Sequence, residues 1–244
     1  MIGAYRNVNP ARHLPALATL GNIAAGVAAC ALAVAQRPDL GGLMILAAVL
    51  MDSLDGAMAR SLDATSNFGA ELDSLADVVS FGVAPAVLVG SLLPIGARQI
   101  GWALVTLYPL CAAWRLARFN VSHNGSEEGH EDFAGLPTTG AGAAAATAVL
   151  VYARLGEAGV AVAPMVLPCV LLILGGLMVS RIPYRHVGSL ISRMKPGTAF
   201  ASAVGLLAAS VLWHEYAFAA LMWGYTMSGV LATAREKIRA VRHA

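Results

Sequence analysis

Long, continuous apolar runs separated by short polar turns organise this chain from residue 14 to residue 234. A helix needs roughly 20 apolar residues to cross a bilayer. Eight stretches meet or approach that length: 14–35, 39–60, 69–93, 99–119, 137–155, 160–182, 198–213 and 216–234. Their Ala/Leu-rich continuity lacks the period-two alternation of a membrane barrel, so strands are not expected. The pattern predicts an all-α fold, a polytopic integral membrane helix bundle. Because the seventh run is the shortest, the bundle divides into a six-helix core and two additional C-terminal spans. Residues 1–13, with Tyr5, Arg6, Arg12 and His13, suit an interfacial arm. The membrane domain is 14–234, and 235–244 form a basic tail.

Composition agrees with this reading. The chain has 244 residues, 58% hydrophobic and only 12% charged, whereas a soluble domain carries about a quarter charged residues. The net charge of +2 is unremarkable, and nucleic acid is not an expected partner. Its distribution carries more information. Eight spans put both termini and the even-numbered connections on one side, which collects thirteen of the sixteen cations. Arg37, Arg98 and Arg154 remain on the other. The positive-inside rule then makes the rich side cytoplasmic. Eleven of the fourteen acidic residues fall there too, so function is expected at the cytoplasmic face. The first apolar run exceeds the 7–15 residues of a signal core and reads as a span. Cys30, Cys111 and Cys169 stand singly in apolar segments and read as small core residues.

Against that apolar background, residues 51–77 stand out: MDSLDGAMARSLDATSNFGAELDSLAD. Asp52 and Asp55 are spaced i, i+3, and Asp73 and Asp77 are spaced i, i+4. Each pair therefore shares one face of its helix. A short polar turn joins the two helices, which brings four carboxylates together near the cytoplasmic surface. Partly desolvated carboxylates repel unless neutralised, and hard cations such as Mg²⁺ or Mn²⁺ favour carboxylate oxygen and share it with phosphate. Gly56, Ala59 and Gly69 leave room for a planar ligand beside the acids, Arg60 can meet a phosphate, and Ser66 offers a hydroxyl. Asp63 and Glu71 fall outside the pattern and read as solvated or structural.

The ordered set D-x-x-D-G-x-x-A-R, eight residues, G-x-x-x-D-x-x-x-D resembles the signature of the CDP-alcohol phosphotransferase family. Those integral membrane enzymes transfer a substituted phosphate from a CDP-linked donor to an alcohol. The resemblance implies that Asp52, Asp55, Asp73 and Asp77 ligate a pair of divalent ions, with Asp77 also the general base. It implies that Gly56, Ala59, Arg60, Ser66 and Gly69 surround the CDP moiety, and that the enzyme is a homodimer. The segments RLARFNV (115–121), FAGLP (133–137) and LMVSRIPY (177–184) are similar to those of the CDP-diacylglycerol–serine O-phosphatidyltransferase branch. That branch implies CDP-diacylglycerol and L-serine as substrates and a bacterial cell membrane as the location.

Arg115, Arg118, Arg181 and Arg185 are candidates for a phosphate or serine-carboxylate pocket, and Asn120 for a hydrogen bond to serine. Two departures from the branch fall at Ala16 and at Thr138 and Thr139, the latter beside the expected acceptor pocket. Other acceptors, such as glycerol 3-phosphate, inositol phosphate or another small alcohol, are the alternative within the class. A cation transporter is the alternative outside it. Transport would place acids near the midplane with polar residues in both halves, whereas here they crowd one face.

Overall fold

The computed structural model describes residues 14–62, 66–123, 133–159, 162–163, 165–184, 219–235 and 238. Several sequence expectations lie outside them: the arm 1–13, Asp63, Arg185, the seventh run and nearly all of the tail. Arg60 lies within a described helix, but its side chain is outside the described set.

The architecture is a helix bundle. Helix α1 spans Leu14–Val34, α2 Pro38–Ser61 and α3 Asn67–Asp77. A π-helical turn, Val78–Val83, joins α3 to α4, Ala84–Ser91. Next come α5, Arg98–His123, α6, Thr138–Glu157, and α7, Val166–Val179. A last helix, α8, covers 219–235. The segments Leu14–Val34, Pro38–Ala59, Asn67–Ser91 and Ile95–Ser122 are each long and apolar enough to cross a membrane. Large apolar side chains such as Leu17, Val27, Leu50, Leu107, Leu110 and Trp114 point outward, as a lipid-facing surface requires.

Local chemistry accounts for the helix ends. Pro38 stands in the first turn of α2, where its missing N–H is not needed. Ser66 caps α3, its Oγ accepting the Gly69 N–H at 3.0 Å. Pro109 sits inside α5, a position that membrane helices tolerate when neighbours compensate.

Helix α1 packs along α2, α2 against α6, and α5 against α7. The Gly/Ala-rich stretch of α6 is buried: Ala141, Gly142 and Ala143 through Ala146 line the core. Small residues admit close helix approach in lipid, and here that surface is used inside the protomer. The π turn is fastened to α1 by Ser80, whose hydroxyl donates to the Asn22 carbonyl at 2.9 Å.

Two details differ from the sequence expectation. Helix α7 is shorter than the run 160–182, occupying Val166–Val179. Strands were not expected, yet β1, Phe133–Ala134, pairs antiparallel with β2, Pro183–Tyr184. Apolar periodicity cannot foretell a pairing this short. It arises because the backbone just before α6 and just after α7 meets and satisfies its own polar groups. The Gly135 N–H donates to the Ile182 carbonyl at 2.9 Å and the Leu136 N–H to the Leu177 carbonyl at 3.0 Å. Gly135 has φ of 95°, and a Cβ there would collide with the Met178 carbonyl, so only glycine suits the position.

Candidate active site

The last turns of α2 and the whole of α3 build the acidic site. One carboxylate oxygen from each of Asp52, Asp55 and Asp73 lies within 4.8 Å of the other two. Asp77 is buried beside Asp52 and Asp73. Asp55 Oδ2, Asp73 Oδ1 and Asp77 Oδ1 are buried without a hydrogen-bond partner among the described residues. Buried polar atoms in native proteins are normally paired, and unpaired buried anions are costly. A cluster of oxygen donors left in this state fits a hard divalent cation.

Around the cluster, Gly56, Ala59 and Gly69 are half-buried, while Ser66 is exposed at the cap of α3 and Glu71 is exposed to solvent. Asn120 of α5 donates from Nδ2 to Ser74 Oγ at 3.0 Å, tying α5 to α3 between the two aspartates of that helix. Arg181 is exposed.

The two arginines of RLARFNV serve different neighbours. Arg115 is buried, lies beside Asp77, and donates from Nη1 to Thr138 Oγ1 at 2.7 Å. Its guanidinium also stands 5.6 Å above the Phe119 ring, within cation–π range. Arg118 turns to the end of α7, donating from Nη1 to the Val179 carbonyl at 3.1 Å and from Nη2 to the Ser180 carbonyl at 3.4 Å. A cation there meets orphan carbonyls and the negative end of the helix dipole.

Sequence reasoning noticed Thr138 and Thr139 as departures beside the expected acceptor pocket, but named no partner for either. In the structure they stand at the start of α6 and bond to residues in and beside the acidic cluster. Thr138 receives Arg115, and Thr139 Oγ1 donates to Asp52 Oδ2 at 3.2 Å. The sequence marks them only as the residues that follow Pro137 at a helix start.

Fold and site together define a polytopic membrane protein with a buried carboxylate cluster set into an otherwise apolar bundle. Comparison with known proteins gives the class its name. The sequence profile of CDP-alcohol phosphatidyltransferase matches residues 12–179, and the chain belongs to that family. Among its relatives, a CDP-diacylglycerol–serine O-phosphatidyltransferase of Mycobacterium leprae is 34% identical over 206 residues, covering 83% of this chain and 68% of the relative. The protein of the same name from Mycobacterium tuberculosis is 44% identical over 128 residues, covering 51% of this chain and 44% of the relative. That of Helicobacter pylori is 34% identical over 177 residues, covering 72% and 73%. The chain thus spans less than half the length of the M. tuberculosis relative and about two thirds or more of the other two.

Proposed function

We propose that this chain transfers the phosphatidyl group of CDP-diacylglycerol to the hydroxyl of L-serine, releasing CMP. The observation that carries this reading is the cluster of buried, unpartnered carboxylate oxygens on the α2–α3 hairpin. The relatives named as serine O-phosphatidyltransferases supply the acceptor.

Asp52, Asp55, Asp73 and Asp77 would hold Mg²⁺ or Mn²⁺, as a pair of ions. When bound, such ions neutralise the diphosphate and stabilise the leaving phosphate. The chain's own groups do the rest. Gly56, Ala59 and Gly69 leave space for the cytidine, with Arg60 and Ser66 at its phosphates. Asp77 takes the proton from the serine hydroxyl. A free Asp is a weak base with a pKa near 4, so the role depends on its burial and placement. Arg115, buried beside Asp77, meets the serine carboxylate. Serine joins its hydroxyl to its carboxylate by a short bond path, so base and cation must be neighbours, as these two are. Arg118 and Asn120 act from behind, by holding α7 and α3.

Membrane embedding follows from the lipid half of the donor, which stays in the bilayer while its diphosphate reaches the site. The charge asymmetry supports a cytoplasmic active site and cytoplasmic termini, and family membership supports a homodimer. The test is CMP release by purified protein in detergent, with CDP-diacylglycerol, Mn²⁺ or Mg²⁺, and serine, glycerol 3-phosphate or inositol phosphate as acceptor. Serine-dependent CMP that disappears with EDTA is expected. CMP release that depends on another alcohol and ignores serine overturns the acceptor assignment.

A further inference from the structure

The segments FAGLP and RIPY have no task in the reaction as described so far. Their backbone pairing, β1 with β2, fixes where α6 begins. The pair is itself anchored, because the buried Tyr184 donates its hydroxyl to the Thr226 carbonyl of α8 at 3.0 Å. From that start α6 packs along α2, and two contacts set the register of the antiparallel pair. At one end, a Cβ on Gly42 of α2 would stand 3.0 Å from the Leu150 side chain and 3.3 Å from the Ala146 carbonyl. About 15 Å further along α2 by helical rise, Asp52 Oδ2 accepts the Thr139 hydroxyl at 3.2 Å. Gly142 lies on the same face of α6, one turn after Thr139. It packs on Phe81 of the π turn, whose side chain a Cβ would meet at 2.7 Å. That face of α6 therefore rests on α2 at Asp52 and on the turn that follows Asp77.

Asp52 is thereby set apart from its neighbours. Asp55, Asp73 and Asp77 each keep a buried oxygen without a partner among the described residues, and Asp52 does not. Carboxylates this close repel one another, and one able to rotate relieves the repulsion by turning away. We propose that Thr139 is a positioning residue for the divalent ion: its hydroxyl pins Asp52 Oδ2, so that the carboxylate stays turned into the cluster before an ion arrives. Outer hydrogen bonds of this kind orient metal ligands and raise metal affinity. Ion affinity is then set in part from α6, whose start FAGLP and RIPY hold in place. In this role Thr139 acts through Asp52 and touches neither donor nor acceptor. The inference rests on the divalent-ion site of the reading given above.

The test is equilibrium Mn²⁺ binding to the full chain in detergent, without substrate, read from the electron paramagnetic resonance signal of the free ion. Thr139→Val removes the hydroxyl and keeps the branched shape, whereas Thr139→Ser keeps the hydroxyl. The expected result is a Kd for Mn²⁺ raised roughly tenfold in Thr139→Val, the scale of a lost outer hydrogen bond to a metal ligand. Thr139→Ser should bind the ion as the wild type does. The serine KM for CMP release at saturating Mn²⁺ should hold in both variants. An unchanged Kd in Thr139→Val overturns the proposal, whether or not the Tm of the ion-free protein falls. So does an equal loss of affinity in both variants, which would make the shape of the side chain the cause. A raised serine KM with wild-type Mn²⁺ affinity also overturns it, by moving Thr139 to the acceptor. Wild-type protein that binds no Mn²⁺ overturns the divalent-ion site itself, which distinguishes that failure from a failure of Thr139 alone.

Discussion

The acidic hairpin of α2–α3 and the basic flank of α5 lie side by side, yet they treat charge in opposite ways. On α5, Arg115 and Arg118 both direct guanidinium donors to protein acceptors, a threonine hydroxyl and helix-end carbonyls. On the hairpin, three of the four aspartates keep a buried oxygen with no partner among the described residues. Partnered charge stabilises a fold, whereas buried charge without a partner marks the place where a ligand completes the structure. Under the proposed reading the difference divides the tasks: the acids are set to take cations, Arg118 holds the frame, and Arg115, fixed by Thr138, is set to meet the acceptor.

Asp73→Asn bears on this contrast most heavily. It should lower kcat/KM for CMP release roughly a thousandfold, the scale of lost ion-assisted charge stabilisation. The Tm should hold or rise, because one member of a repelling set has been neutralised. Added Mn²⁺ should raise the Tm of the wild type by preferential binding to the folded state, and should do so far less in the variant. Retained activity would remove the basis for calling the hairpin the reactive centre.

Arg118→Ala probes the other side of the comparison. Leaving the end of α7 without its cation should cost about 2 kcal/mol of stability, read as a lower Tm in detergent. The serine KM of the molecules that remain folded should stay unchanged. A normal Tm with a lost response to serine would move Arg118 out of the frame and into the acceptor pocket. The smallest effect concerns the seam between the two regions. Thr139→Val removes the hydroxyl that donates to Asp52 and should reduce activity about tenfold, while Thr139→Ser retains it.

How much of this was legible in the sequence depended on how far apart the cooperating residues lie. The carboxylates sit on consecutive helices across a short turn, so helical spacing alone was enough to bring Asp52, Asp55 and Asp73 together. The apolar runs similarly marked α1, α2, α5 and the start of α6, because lipid imposes a simple requirement on each span by itself. Thr139 and Asp52 are 87 residues apart, and no local pattern announces their contact. The same is true of Tyr184 and Thr226, which meet where a two-residue strand pair holds the chain just after α7 against the chain just before α6. Arg118 shows the same limit. Its neighbourhood in the sequence is that of the site, but its side chain points to another helix.

One feature has its effect through length alone. The π turn, Val78–Val83, inserts a surplus residue between the helix that carries Asp73 and Asp77 and the buried α4 beyond it. Each residue in a helix advances the angular phase by about 100°. Loss of one residue from this stretch would therefore swing one helix about its axis relative to the other. With α4 wedged in the core, the aspartates would be the ones to turn away. Exchanging one apolar side chain for another there disturbs only packing, but an in-frame deletion of a single codon would put the site out of phase.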